Sequence, residues 1–147
     1  MTAQTSNLMG RILTSVAITN RIDQALAQRD LISDAQVRSV TLDNVLVDTG
    51  ATTLCLPSET IAQLGLEILK EVDVETATGI GKCRIFRDAT ISLLGREGTF
   101  ECLELPGGNN PLLGVIPLEA LGIELDLKNQ KLVTLPISPT QTYLTIL

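Results

Sequence analysis

The segment VLVDTGATTLCLP, residues 45–57, decides the fold and the chemistry of this chain. Val45 to Val47 form a fully apolar run that predicts a buried strand, and an ionisable residue, Asp48, follows it directly. A carboxylate at the end of a core strand costs free energy unless it is paired or hydrogen-bonded. Because the strand fixes such a residue while the loop exposes it, a functional aspartate is favoured. The structural alternative, an Asp48 that only accepts hydrogen bonds from its own loop, stays open at this point.

Most of the chain around this segment has the composition of β-strands separated by turns. Asp43 and Asn44 predict a turn inside one strand-like run, because both side chains can bond to nearby backbone. Gly95 and Gly98 bound another predicted turn. Strand-like runs of apolar and β-branched residues occupy residues 11–19, 37–47, 68–76, 82–94, 99–105, 123–127 and 131–135.

Two short segments predict helices. Residues 58–65 begin with Ser58, which can cap a helix, and end with Gly65, which can terminate one. Residues 117–122 end in the same way. Residues 20–35 are ambiguous, since aspartates interrupt the short helix that could form there.

Aromatic residues make up only 2% of the chain, so its core must consist of aliphatic side chains, which favours a small barrel or sandwich. We therefore expect a mainly β fold with one or two short helices.

Length and charge limit the domain organisation and the partners. A chain of 147 residues fits one compact domain, expected over residues 11–147 after a flexible leader at residues 1–10. The net charge of −6 and the scattered basic residues make nucleic acid an unfavourable partner. No secretory signal and no long apolar run is present, so no membrane partner is expected.

The absence of histidine restricts the chemistry further. It excludes Ser/His and Cys/His nucleophilic schemes and the usual zinc sites, so acid–base work must be done by carboxylates, and we expect neither metal nor cofactor. Cys55, Cys83 and Cys102 are odd in number and widely spaced, which predicts reduced thiols in a cytoplasmic protein. Without a histidine to activate it, Cys55 is interpreted as a small buried apolar residue.

Three segments in order resemble the retropepsin-like aspartic proteases. Residues 45–57 are similar to the active-site segment of that family, with apolar residues, Asp-Thr-Gly-Ala, a polar pair and an apolar stretch. PLLGVIPLEALG, residues 111–122, resembles the second half of the pattern, in which two apolar residues precede a glycine and a short helix. Between them, TGIGK at residues 78–82 resembles the flap that covers the cleft. The resemblance covers residues 11–135 and implies a closed β-barrel of the retropepsin-like acid-protease type.

The resemblance also implies roles for individual residues. Asp48, Thr49 and Gly50 correspond to the catalytic motif, in which the threonine hydrogen-bonds across a dimer and the glycine allows close backbone approach. No other aspartate precedes Thr-Gly or Ser-Gly, so the chain supplies half of a catalytic pair, and two-fold symmetry in a homodimer supplies the other half. The implied substrate-binding residues are Ala51, Thr52, Thr53, Thr78, Gly79, Ile80, Gly81 and Leu113.

Two departures from the retroviral pattern concern specificity and assembly. Thr52 and Thr53 replace an acidic pair, and Val115 stands where many retroviral members have arginine. The departures affect the expected substrate preference and the dimer contacts, while the reaction class is unchanged.

The predicted function is an aspartic endopeptidase in which two Asp48 residues of a homodimer activate water and hydrolyse a peptide or protein substrate. The alternative is a non-catalytic dimeric module that binds peptides or proteins on the same fold, because the same frame serves both. DTGATT at residues 48–53 also resembles the phosphate loop of actin-like and sugar-kinase ATPases, but those folds need more than twice this length.

Overall fold

The structure is a computed structural model that describes residues 11–105 and 110–135. The leader expected at residues 1–10 lies outside the described residues. Nine strands are described: β1 (Ile12–Asn20), β2 (Ser39–Val47), β3 (Leu54–Pro57), β4 (Glu67–Thr76), β5 (Gly79–Leu93), β6 (Arg96–Leu105), β7 (Leu112–Leu113), β8 (Ile123–Asp126) and β9 (Lys131–Thr134). The helices in this part of the chain are α1 (Arg21–Gln28), α2 (Ser58–Leu64) and α3 (Val115–Leu121), with a 3₁₀ turn at Asp34–Gln36.

The expectation of a mainly β fold with short helices is confirmed, although three helices replace the one or two expected. The ambiguous segment supplies the additional helix, α1. Asn20 makes this helix possible, because its side-chain oxygen accepts a 3.0 Å hydrogen bond from the backbone N–H of Asp23 and so caps the first turn.

Seven strands pair in the order β1-β2-β7-β3-β6-β5-β4. Strand β1 also pairs with β5, so six of the strands follow one another around a ring. This double pairing depends on the length of β5, which has 15 residues and passes from β4 at its first half to β1 at its second. The register between β5 and β6 shifts between Phe86 and Ala89, where β5 has one extra residue and Asp88 has a φ of 63°.

Two parallel rows of side chains cross these strands on opposite faces, because successive residues of a strand alternate between its faces. One row is buried in the core and consists of Ile12, Val47, Leu113, Leu54, Cys102 and Phe86. The neighbouring row, on the other face, consists of Leu13, Leu46, Leu112, Cys55, Leu103 and Ile85. The second row is also apolar, so both faces of the sheet are apolar close to Asp48.

Two predicted turns are wrong. Asp43 and Asn44 lie inside the continuous strand β2, and the register with β1 shows that β2 has one extra residue there. The local signal therefore marks a β-bulge, which leaves the strand unbroken. The turn expected at 95–98 lies one residue earlier, at Leu94 and Gly95, whose φ values of 52° and 79° suit the tight hairpin between β5 and β6.

The predicted C-terminal ends of helices α2 and α3 are confirmed, because Gly65 and Gly122 adopt left-handed conformations directly after them. The predicted cap at Ser58 is wrong. Pro57 occupies the N-cap position, and the Ser58 hydroxyl instead donates a 3.3 Å hydrogen bond to the carbonyl of Leu105.

A partly buried ion pair joins α1 to Arg38, the residue that precedes β2. Asp23 accepts hydrogen bonds from Nε and Nη2 of Arg38 at 2.7 and 3.0 Å and from the Arg38 backbone N–H at 3.0 Å. The Asp23 side chain is only 8% exposed, whereas that of Arg38 is 51% exposed. The hydrogen bonds from Arg38 hold the pKa of Asp23 below its ordinary value despite burial.

This pair predicts an acid-sensitive contribution to stability. Since the folded-state pKa of Asp23 is lowered, the contribution is present above the pKa of the unfolded chain, near 3.9, and is lost as pH falls through the folded-state pKa. We expect Asp23→Asn to lower the free energy of unfolding by roughly 2 kcal/mol at pH 7. Urea unfolding from pH 7 to pH 2 should show the difference from wild type shrinking below pH 4.

Asp73→Asn is the matched control, because the Asp73–Lys82 pair is 67% and 72% exposed and should contribute little. A difference for Asp23→Asn that stays constant down to pH 2 would mean that its ion pair is not the cause.

Candidate active site

Asp48 lies at the end of β2 and begins a tight loop. Its backbone N–H donates a 3.0 Å hydrogen bond to the carbonyl of Leu113 on β7, which continues the parallel pairing of β2 with β7. The carbonyl of Asp48 then accepts from the backbone N–H of Ala51 at 3.0 Å and closes the turn. The main chain of the aspartate is therefore fixed on both sides.

The Asp48 carboxylate itself is half-buried and has one satisfied oxygen. Oδ1 accepts a 2.8 Å hydrogen bond from the backbone N–H of Gly50, so the bonding expected of a purely structural aspartate is present. Within residues 11–105 and 110–135, Oδ2 has no hydrogen-bond partner. The hydrogen bond within the loop thus occupies one carboxylate oxygen and leaves the other able to bind a water molecule or the carboxyl group of a second aspartate. A Cβ on Gly50 would lie 3.1 Å from Oδ1, a tight contact that the Asp48 carboxylate would have to relieve by a few tenths of an ångström.

Helix α3 holds the rest of the loop. The backbone N–H groups of Val115 and Ile116 donate to the carbonyls of Ala51 and Thr52 at 3.0 and 2.9 Å. Gly114 lies directly against the loop, and a Cβ there would be 2.5 Å from the carbonyl oxygen of Thr53 and 2.6 Å from that of Ala51. The glycine between the two leucines of β7 and helix α3 therefore has a steric reason in this chain.

A groove of about 590 Å³ lies between the aspartate loop and the β4–β5 hairpin. Gly50 and the next three residues form one side of it, and β4 forms the other side with Asp73 to Thr76. Its floor belongs to the second side-chain row, through Cys55, Leu103 and Leu112, and is extended by Leu105 and Cys83. The lining of the groove is mostly apolar, which suits the apolar side chains of a peptide.

The structure brings part of the expected substrate-binding set to this groove. Ala51, Thr52 and Thr53 line it, and the Thr53 hydroxyl donates a 3.1 Å hydrogen bond to the carbonyl of Glu101. Leu113 has no exposed surface and packs in the core below the loop, so contact with substrate is wrong for this residue. Its neighbour Leu112 lines the groove instead, because adjacent strand residues face opposite sides.

The four residues Thr78, Gly79, Ile80 and Gly81 lie at the tip of the β4–β5 hairpin and do not line the groove. Ile80 is 76% exposed, and a Cβ at Gly79 or Gly81 would have no atom within 4 Å. Gly79 has a φ of 125°, which L side chains rarely adopt. The tip therefore projects from the body of the chain, and it stays a prediction that these residues contact substrate.

Sequence reasoning missed the far wall and most of the floor. Val74, Leu103 and Leu105 come from strands that were predicted, but only the pairing register shows which of their faces meets the groove. Cys83 was treated as one of three reduced thiols, yet it is partly exposed at the edge of the groove. No local signal identifies these positions.

Cys55 is a poor nucleophile in this setting. Burial, followed by the nearby charges of Asp48 and Cys83, raises the pKa of the Cys55 thiol to about 11. Burial raises the pKa of Cys102 to about 12. Both thiols are protonated at neutral pH, which agrees with the interpretation of Cys55 as a small apolar residue.

The described residues contain neither a metal-binding cluster nor a helix that could span a membrane. Within the described ranges, no group of three or more Cys, Asp or Glu side chains is placed to hold a metal ion. None of the helices described is long and apolar enough to cross a bilayer.

Comparison with known proteins agrees with the geometry. A search of curated proteins found no significant match to this chain. The family model described as gag-polyprotein putative aspartyl protease, a retropepsin-like aspartyl protease domain, matches residues 33–119. The matched stretch contains the Asp48 loop, the β4–β5 hairpin and Gly114, and it spans more than half of the 147 residues. The chain therefore belongs to the gag-polyprotein aspartyl protease family of retropepsin-like domains.

Proposed function

We propose that two copies of this chain form an aspartic endopeptidase in which each copy contributes Asp48. The observation that carries the proposal is the state of this carboxylate, which has one oxygen held by Gly50, the other without a partner in the described part of the chain, and a groove beside it. Membership of an aspartyl protease family supports a protease-type function. The closed barrel of the family fold, the flap and the cytoplasmic location belong to the same proposal.

The chemistry follows from bringing two such carboxylates together. Two close carboxylates cannot both ionise easily, so one retains a proton while the other accepts a proton from a bound water molecule. The water oxygen attacks the peptide carbonyl carbon while the protonated carboxylate donates to the carbonyl oxygen, which gives a gem-diol. The diol then collapses: the C–N bond breaks, the leaving nitrogen takes the proton that the first carboxylate had accepted from water, and a diol hydroxyl returns its proton to the other carboxylate. This reaction needs neither histidine nor metal. Its pH dependence should show two apparent pKa values, which belong to the pair of carboxylates rather than to either one.

The substrate is an extended peptide that lies along the groove. Its apolar side chains pack on the floor formed by Cys55, Leu103 and Leu112, and its backbone passes Ala51 and Thr52. The β4–β5 hairpin closes over it, with Gly79 and Gly81 providing the backbone freedom for opening and closing. A module that binds peptides without cleaving them would use the same groove, so a cleavage assay separates the two functions.

The surface beside Asp48 suits a second copy of the chain. Thr49 is exposed, and Ile116, whose backbone bonds to the loop at Thr52, is 50% exposed although it is a large apolar residue. An isologous interface at this surface would bring the two Asp48 residues near the two-fold axis and cover both copies of Ile116.

We therefore expect a homodimer that Ile116→Glu weakens. Sedimentation equilibrium should show concentration-dependent association of wild type, and Ile116→Glu should raise the dissociation constant by about tenfold or more because a charge is buried at the interface. Leu127→Glu is the control, since Leu127 is 56% exposed in the turn between β8 and β9. A monomer at tens of micromolar concentration that still cleaves a peptide library would reject the shared site.

A further inference from the structure

Arg96 is a buried cation that the proposed reaction does not use directly. It is the first residue of β6 and is only 6% exposed. Burying a guanidinium is costly unless its N–H groups are hydrogen-bonded. Its Nη1 donates to the carbonyls of Leu121 and Gly122 at 2.8 and 3.0 Å, and both bonds are buried.

These two carbonyls mark the end of helix α3. The last carbonyls of a helix have no partner within the helix, and they carry the negative end of its dipole. Gly122 begins the left-handed termination of α3, with a φ of 65°. A cation from a neighbouring strand therefore fixes the C-terminal end of the helix by hydrogen bonds and by charge.

The other end of the same helix is fixed to the aspartate loop. The N–H groups of Val115 and Ile116 bond to Ala51 and Thr52, and Gly114 has no room for a side chain against Thr53. Helix α3 has seven residues and is about 10 Å long, so it is short enough to move as one body. A displacement at its C-terminal end must therefore be carried to the loop that holds Asp48.

We propose that Arg96 is a positioning residue for the aspartate pair, acting through α3. The proposal rests on the proposed function, since it concerns how the two Asp48 carboxylates are set relative to one another. Without the Arg96 bonds, the buried carbonyl of Leu121 loses this donor and the carbonyl of Gly122 keeps the backbone N–H of Leu135, so the end of α3 is held less firmly and can shift. The loop moves with the helix, and the distance between the two carboxylates changes in the dimer. The distance determines how strongly the first ionisation opposes the second.

The test compares Arg96→Met, Arg96→Lys and the control Arg87→Met in the full-length dimer. Arg87 is on β5 and makes longer, partly exposed ion pairs with Glu67 and Asp88, at 3.6 and 3.8 Å. We expect Arg96→Met to lower kcat per folded dimer by about 10²-fold, the size typical of a small misplacement of catalytic groups, with KM within about twofold. The separation between the two apparent pKa values of the pH–rate profile should differ from that of wild type, Arg96→Lys should recover most of kcat, and Arg87→Met should behave as wild type.

A purely structural role gives a different result. If Arg96→Met lowers the melting temperature while kcat per folded dimer and the pH profile stay those of wild type, the proposal is overturned. Should Arg96→Met not fold, amide hydrogen exchange of Arg96→Gln, which removes the charge and shortens the side chain, decides: faster exchange at Ala51 and Asp48 than in wild type, with unchanged exchange in β8, supports the proposal, and unchanged exchange at the loop rejects it.

The exchange measurement also separates this inference from the proposed function. If wild type cleaves no peptide at any pH, the endopeptidase proposal fails. Exchange at Ala51 and Asp48 in the same variants still reports whether Arg96 positions the loop.

Discussion

Asp48→Asn should abolish peptide cleavage while leaving the fold and the dimer intact. The amide keeps an oxygen that can accept the 2.8 Å bond from the Gly50 N–H, so the loop retains its conformation. It cannot accept a proton from water or exist as the acid of the pair, and we expect kcat/KM to fall by about 10³-fold or more. Cleavage of a peptide library at several acidic pH values, with sedimentation and thermal melting on the same samples, measures the effect.

Asp43→Asn is the matched control for this substitution. Asp43 is an exposed aspartate on the same strand, at the bulge of β2 and away from the groove, so its variant should cleave as wild type does. Cleavage that survives Asp48→Asn and is lost on treatment with a thiol reagent would reject the aspartyl mechanism and direct attention to the cysteines.

Mixing the two chains tests whether the site is shared. When wild type is mixed with an equal amount of Asp48→Asn and the subunits exchange, about one quarter of the dimers retain both aspartates, because pairing is random in a symmetric interface. Activity should therefore follow the square of the wild-type fraction. A linear dependence would mean that each chain works alone, and the homodimer proposal would fail.

The contrast between sequence and structure is sharpest within the segment of residues 45–57. Val45 to Val47 and Asp48 were interpretable locally, because an apolar run followed by a carboxylate has a direct physical meaning. The structural and functional interpretations of Asp48 could not be separated from sequence, and the structure shows why. One carboxylate oxygen serves the turn and the other remains without a partner in the described part of the chain.

Misplaced turns arose where local chemistry and strand pairing disagree. Asp43 and Asn44 favour a turn by composition, but β1 pairs with β2 on both sides of these residues and keeps the strand continuous, so the extra residue forms a bulge. Leu94 has the left-handed backbone expected of Gly or Asn, because the hairpin between β5 and β6 requires two such residues in succession. In both places long-range pairing overrides the local preference.

The groove is the part of the site least accessible to sequence reasoning. Its floor combines Cys55, Leu103 and Leu112 from three strands, and a shift of one residue in any pairing would turn the core row toward the groove. The assignment of Leu113 to substrate was wrong by one such step. Predicting which of two adjacent leucines meets the groove requires the register of β7 against β2 and β3.

Gly114→Ala should impair both stability and catalysis by steric contact alone. The backbone at Gly114 has a φ of −93° and a ψ of −169°, which any residue can adopt, so no conformational strain is expected from the change. The added Cβ would meet backbone atoms at 2.5 to 2.7 Å, at the carbonyl oxygens of Thr53 and Ala51 and the N atom of Thr53. Backbone cannot rotate away as a side chain can, so the loop and the start of α3 must move apart.

We expect Gly114→Ala to cost about 1–3 kcal/mol in the free energy of unfolding and to lower kcat by about 10²-fold, because the loop that moves holds Asp48. Gly81→Ala is the control for stability, since its Cβ would meet no atom within 4 Å. Urea unfolding and peptide cleavage on the two variants give the comparison. Wild-type stability and kcat in Gly114→Ala would show that the loop and α3 can move apart to accommodate the added Cβ without a cost in stability or catalysis. A loss of stability with an unchanged kcat per folded dimer would show that the loop is repositioned without disturbing the aspartates, and the proposed coupling of α3 to Asp48 would then be wrong.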